Sequence, residues 1–324
     1  MVSQFCFSQH SACVMVFMQY KKNMQLFIIL LMLIVPFTLS AEETGILENE
    51  LLAIRYDRSL YKVAVTVQKI YPSVKSEIEA TFGADIDFRP TVQLIKSEKR
   101  FQDSVIKGPV VAVAISAENR IVIDNSKMKT YPFSLAVTLK HELCHLFLHN
   151  YVGDGTLPRW LNEGISQWAS DGIAEIMIVE NRNVLKEAIL SRRLLPLSSL
   201  QRGFPQDEKL MNLAYEESKS IVEYIVKEYG KEGIITILNG LRKGDSPSRA
   251  VEDSLSVSVV ELEDDWHDYL RTRNTWLIYV SSHIYQFLFA FTAIILVYGF
   301  IKFQIRKSHY KDDEDEFGEQ DEEE

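Results

Sequence analysis

Two histidines four residues apart, in the run His141-Glu142-Leu143-Cys144-His145, constrain this chain more than any other feature. Four residues are close to one turn of a 3.6-residue helix, so both imidazoles fall on one face, about 6 Å apart along the axis, where they can reach one ion. Glu142 then flanks the ion without binding it, in the place of a general base. Zinc in hydrolytic sites takes three protein ligands at about 2.0–2.2 Å and keeps a fourth position for water, so a third nitrogen or oxygen must come from elsewhere. Glu163, in Trp160-Leu161-Asn162-Glu163-Gly164, is the best candidate. A bare H-E-x-x-H arises by accident in roughly one chain in a hundred of this length, so the surrounding pattern has to carry the reading.

That pattern is a helix, a loop and a second helix. From Ser134 the apolar period is helical through His149, Gly153, Gly155 and Pro158 close the segment, and Trp160 opens the next. Ahead of it, Thr91 to Ile95, Val110 to Ile115 and Arg120 to Ile123 are rich in branched residues and read as strands, the last two as a hairpin turned at Ala117-Glu118-Asn119. Residues 47 to 82 read as helical in period, with Pro72 as a break or kink. After the motif, Ala174 to Leu190, Glu208 to Tyr229, Gly233 to Leu241 and Val257 to Leu270 are helical in period, with Gly230 near an end.

The composition is that of an ordinary globular chain: 324 residues, 47% hydrophobic and 25% charged. Its net charge of −10 comes from the end, because residues 312–324 hold ten acids and no base, leaving 35 acids against 35 Lys and Arg elsewhere. No basic patch argues for nucleic acid, and the acidic run reads as a solvated, disordered tail.

The two ends read as membrane signals. Lys21-Lys22, the apolar run Leu26 to Leu39 and the small residues Ser40 and Ala41 have the order of a secretory signal, with Met24 an alternative start. Ile284 to Ile301 is an uncharged run of eighteen residues, extended upstream by Trp276 to Tyr279, and Lys302, Arg306, Lys307 and Lys311 crowd its far side. A single transmembrane helix with a cytoplasmic tail follows. The predicted organisation is a leader and signal at 1–41, an extracytoplasmic domain at 42–275, a membrane helix at 276–303 and an acidic cytoplasmic tail at 304–324. Cys144 is the one thiol outside the leader, which excludes an intramolecular disulfide in the mature chain and favours a bacterial envelope over an animal cell surface.

With these motifs in place, the chain resembles the gluzincin metallopeptidases, specifically the peptidase-MA-like domains related to thermolysin and the zinc aminopeptidases. The matching residues are His141-Glu142-x-x-His145, Trp160-Leu161-Asn162-Glu163-Gly164 and, more loosely, Ala214-Tyr215-Glu216-Glu217-Ser218 with Glu228-Tyr229-Gly230 and Trp266 beyond. The resemblance spans about residues 90 to 270. It implies an α+β, zincin-like fold, a small mixed sheet plus a helical lobe with zinc in the cleft between them, followed here by the membrane helix. It implies His141, His145 and Glu163 as Zn2+ ligands and Glu142 as base, and matches Tyr215 to a tyrosine that polarises the transition state; packing on the core is the other reading of Tyr215. Where such domains often place an acid to orient a histidine, this chain has Gln167, a weaker acceptor for an imidazole N–H.

The expectation is a membrane-anchored zinc metallopeptidase acting on peptide or protein substrates outside the cytoplasm. The alternatives are a zincin-fold receptor or scaffold with little or no activity and, less compatible with Lys140 and the short apolar flank, an intramembrane protease. His149 sits about 12 Å from His141 along the axis, too far to share an ion. Cys144 reads as a small packed hydrophobe, and Glu118 lies where a turn is expected.

Overall fold

Leu52, Ile54 and Tyr56 are buried while Ala53 and Arg55 are not, an alternation of period two that makes β2 (Ala53–Asp57) a strand. It is the hydrogen-bonded neighbour of β1 (Thr44–Glu48). Asn49 turns the chain between them, its Oδ1 accepting from the backbone N–H of Leu51 and Leu52 at 2.9 and 3.0 Å. The helix predicted from residue 47 therefore starts only at α1 (Tyr61–Phe82). Pro72 sits inside α1 without ending it, because it lies on the exposed face, where the carbonyl it frees can bond water.

These coordinates are a computed structural model that describes residues 44–105, 110–128, 134–171 and 184–318, with 273–282 and 305–318 as backbone alone. The predicted leader, Gly108-Pro109, the start of the helix expected from Ala174 and the last six residues of the acidic run lie outside the described residues. The elements from Gly45 onward form one compact unit.

Five strands make one mixed sheet in the order β1-β2-β3-β5-β4, with β3 at Thr91–Ile95, β4 at Ala112–Ile115 and β5 at Arg120–Asp124. The β2–β3 and β3–β5 pairs are parallel, so α1 serves as the crossover between β2 and β3. β4 is antiparallel to β5 and lies at the edge. The expected hairpin joins them through a 3-10 turn at Ser116–Glu118 and Asn119 at φ 46°. β5 is buried on both faces: Ile121 and Ile123 join the main core, whereas Val122 packs with Ile95 and with Phe101 of α2 (Glu98–Ser104).

α3 (Leu135–Val152) is buried nearly all round from Leu139 to Leu148, as expected of a helix enclosed between a sheet and further helices. The helices beyond are α4 (Arg159–Ser170), α5 (Val184–Ser191) and α6 (Glu208–Arg242), the last interrupted at Gly230, whose φ 71° and ψ 172° no side chain tolerates well. The sequence reading split this region at the same glycine but missed α7 (Pro247–Leu255), which its Ser246 cap and Pro247 first position signal. α8 (Val259–Ser282) closes on α6 through Trp266, fully buried, whose indole N–H donates to Ser220 Oγ at 3.2 Å.

α9 (Ile284–Gly318) begins with the apolar run. Ile284–Gln304 is long and apolar enough to cross a membrane, with mean hydropathy 2.1, and none of it is buried against the rest of the protein. Trp276 to Ser282 belong to the end of α8 instead. The backbone stays helical into the acidic run as far as Gly318, where a disordered tail was expected; no glycine or proline interrupts the chain between Gly299 and Gly318.

Candidate metal centre

α3 sets the first two donors. His141 and His145 stand one turn apart with ring centres 4.6 Å apart and their Nε2 atoms at 3.0 Å. The loop through Gly153 and Pro158 turns the chain back, and α4 crosses close to α3 so that Glu163 points at the same spot. Its Oε2 lies 4.0 Å from His141 Nε2 and 3.6 Å from His145 Nε2. The three ligand atoms lie within 4.8 Å of one another, and all three residues are buried. A tetrahedral zinc would space such donors about 3.3–3.6 Å apart, a value the separations of 3.0, 3.6 and 4.0 Å straddle. Two imidazoles and one carboxylate therefore fit zinc in both donor type and spacing. Glu142, next to His141 on α3, is completely buried.

Hydrogen bonds fix the donor geometry further. His145 Nδ1 lies 3.0 Å from Asn162 Oδ1 and 3.1 Å from Ser166 Oγ, so a proton on Nδ1 has two acceptors and Nε2 is left as the donor atom for a metal. Neither residue stood out in the sequence as a partner of histidine, although Asn162 lies within the second motif and Ser166 about one turn beyond Glu163 on α4. Gln167, expected to orient a histidine, does something else. Its amide Nε2 donates to the backbone carbonyl of Tyr215 at 3.0 Å and ties α4 to α6. The reason is register: Gln167 is one residue further round α4 than Ser166 and faces the neighbouring helix.

Tyr215 lies in the second turn of α6 and is 5% exposed. Its ring meets Phe204 edge to face at 4.8 Å, and its hydroxyl accepts from Arg159 Nη2 at 3.4 Å. Arg159 also pairs with Glu163 Oε1 at 3.2 Å, so the tyrosine reaches the metal cluster through one guanidinium. Tyr215 therefore packs on Phe204 and is linked to Glu163 through the Arg159 guanidinium. Arg159 and Phe204 went unread, since the contact that joins them runs between α4 and the segment before α6.

The remaining candidates stay apart from the centre. His149 is exposed at the end of α3. Cys144 is fully buried, and burial pushes its thiol up to about 12, so it acts as a packed apolar group. Glu118 sits in the β4–β5 turn, ion-paired with Arg120 at 2.8 Å. Behind Tyr215, Glu217 is wholly buried and accepts from the backbone N–H of Leu195 at 3.0 Å, and burial raises its carboxyl to about 8.

No curated protein sequence matches this chain. Among solved structures it is similar to yeast LTA4 hydrolase in complex with Bestatin (TM-score 0.44, 11% identity, covering 73% of this chain and 37% of that one). It is also similar to Legionella pneumophila aminopeptidase A in complex with aspartic acid (0.41, 13%, 69% and 28%). A two-domain M1 zinc metallopeptidase bound to L-arginine is a third (0.42, 15%, 70% and 51%). The chain spans no more than about half the length of these proteins, and likenesses this loose carry no weight for activity. The sequence match is firmer: residues 77–272, which hold both motifs and the cluster built from them, match the Peptidase MA superfamily over more than half of the chain. The chain belongs to the Peptidase MA superfamily.

Proposed function

We propose that this chain is a membrane-anchored, zinc-dependent metallopeptidase that hydrolyses peptide bonds outside the cytoplasm. The observation that carries the reading is the convergence of His141, His145 and Glu163 within 4.8 Å beside the buried Glu142. When bound, zinc supplies Lewis acidity, lowering the pKa of a coordinated water to about 7 and polarising a substrate carbonyl.

The chain's own residues do the rest. Glu142 accepts the proton of the attacking water and passes it to the departing amine nitrogen, so the carboxylate ends the cycle as it began. Burial keeps bulk water from competing for that proton. Asn162 and Ser166 hold the His145 ring in one tautomer. Tyr215 donates its hydroxyl hydrogen to the oxygen on which negative charge develops. The strand β4, at the edge of the sheet among the described residues, can take an extended peptide by edge pairing, fixing its direction without reading its side chains.

The anchor is the apolar helix Ile284–Gln304, and the basic residues at and beyond its end, Lys302, Arg306, Lys307 and Lys311, favour a cytoplasmic end there. The deciding experiment is zinc analysis and cleavage of a quenched-peptide library by the full chain in detergent. Glu142→Gln is expected to retain the metal and lose about 10²–10⁴-fold in turnover. A parent chain that binds zinc and cleaves no peptide would instead be a receptor or scaffold on this fold.

A further inference from the structure

Glu163 offers its two oxygens to different partners. Oε2 faces the two imidazoles, at 4.0 and 3.6 Å, while Oε1 is ion-paired with Arg159 Nη2 at 3.2 Å. That same nitrogen donates to the Tyr215 hydroxyl at 3.4 Å. A terminal guanidinium nitrogen carries two hydrogens in a fixed plane, enough for one bond to each oxygen. The arginine is held in turn: its backbone N–H donates to the carbonyl of Gln201 at 2.8 Å, and its guanidinium carbon lies 5.2 Å from the centre of the Phe204 ring. Phe204 then closes the circuit edge to face on Tyr215. Arg159 opens α4 one turn before Glu163, so the pair is also an i,i+4 ion pair with one partner buried.

We propose that Arg159 is a positioning residue of the metal centre: it restricts Glu163 to one ligating oxygen and holds the Tyr215 hydroxyl beside it. The inference rests on the zinc reading above and adds a second job for the segment Gln201 to Phe204, which becomes the platform on which the guanidinium lies. Its chemical consequence is a site with a defined coordination number. A carboxylate released from Arg159 can turn to give both oxygens to the metal, taking space that water needs. Lysine does not replace arginine here, because an ammonium has no flat face to lie on Phe204 and no rigid fork to serve two oxygens.

The test uses the full chain in detergent loaded with cobalt(II), whose visible absorption weakens as coordination number rises. Arg159→Lys and Arg159→Met are both expected to lower the band intensity relative to the parent. On a peptide that the parent cleaves, both variants are expected to lose about 10–100-fold in kcat with KM within about 3-fold, the size typical of a lost partner to a ligand. Combining Arg159→Met with Tyr215→Phe should cost less than the product of the two single losses, because the part of Arg159's effect that runs through the Tyr215 hydroxyl is already gone, while the release of Glu163 remains. Cobalt spectra that superimpose on the parent's in both variants overturn the proposal, as does full rescue by Arg159→Lys, which would reduce the residue to its charge. If the parent takes up metal but cleaves no peptide, the proposed hydrolysis fails alone, and the cobalt spectra still decide the role of Arg159. A parent that binds no metal overturns both.

Discussion

His145 is fixed from both ends, one nitrogen toward Glu163 and the other toward Asn162 and Ser166. Asn162→Ala removes an acceptor from Nδ1–H, and zinc affinity measured by chelator competition is expected to fall about 10–100-fold. His145→Ala should lose the metal outright, seen by elemental analysis, since two donors remain. Glu217 gives a pH prediction of known sign. Its carboxyl stands at about 8 when folded, against an ordinary value near 4.5, because burial disfavours the charged form. Between those values the folded chain keeps a proton that the unfolded chain has released, so stability falls as pH rises through that window, whereas below pH 4.5 both states hold it and the penalty vanishes. Glu217→Gln keeps an acceptor for the Leu195 N–H and cannot ionise. Melting curves should show parent and variant close together near pH 5 and the variant higher at pH 8. The histidine donors were legible in sequence because i,i+4 spacing is a local property of a helix; Ser166 and Phe204 were not, because their roles arise only across elements, and Arg159, although one turn before Glu163, is joined to Tyr215 and Phe204 only by the approach of other segments.

Helix α4 approaches α6 without room for a side chain at the contact. A Cβ on Gly164 would sit 2.1 Å from the backbone oxygen of Ser218 and 2.7 Å from Val222 Cγ2. The glycine of the Trp160 to Gly164 motif is thus a packing requirement that places Glu163, on the preceding residue, against α3 and Tyr215 against α4. Gly164→Ala is expected to destabilise the fold by about 1–3 kcal/mol through overpacking, a drop of about 2–4 °C in Tm per kcal/mol. It should also reduce turnover more than the lost stability explains, since α6 carries Tyr215. The elements themselves were read unevenly, for physical reasons. β3 and β5 are short runs of branched residues and α3 is a continuous apolar stretch closed by Gly153, Gly155 and Pro158, whereas the segment 47–60 has apolar spacings that fit both a helix and a strand, and the Asn49 turn decided between them. α7, nine residues long, was too short for periodicity to single out.

On the scale of the whole molecule, the metal cluster is built from two helices, α3 and α4, of a fold that joins a five-stranded sheet to a helical half, and a 21-residue apolar stretch follows them. If that stretch is the anchor, the full chain should stay in the membrane pellet after alkaline carbonate extraction, and deletion of residues 284–304 should move it to the soluble fraction. The two histidines, the glutamate between them and the apolar run could be read along the chain, because each depends on neighbours in sequence: one turn of helix for the donors, length and hydropathy for the apolar run. The sheet order β1-β2-β3-β5-β4, the second acceptor on His145, the turning away of Gln167 toward Tyr215 and the guanidinium shared by Glu163 and Tyr215 were decided by the tertiary structure alone. These depend on how closely α3, α4 and α6 pack. That distance is set by shape at contacts such as Gly164 against Ser218, which brings together residues more than fifty positions apart.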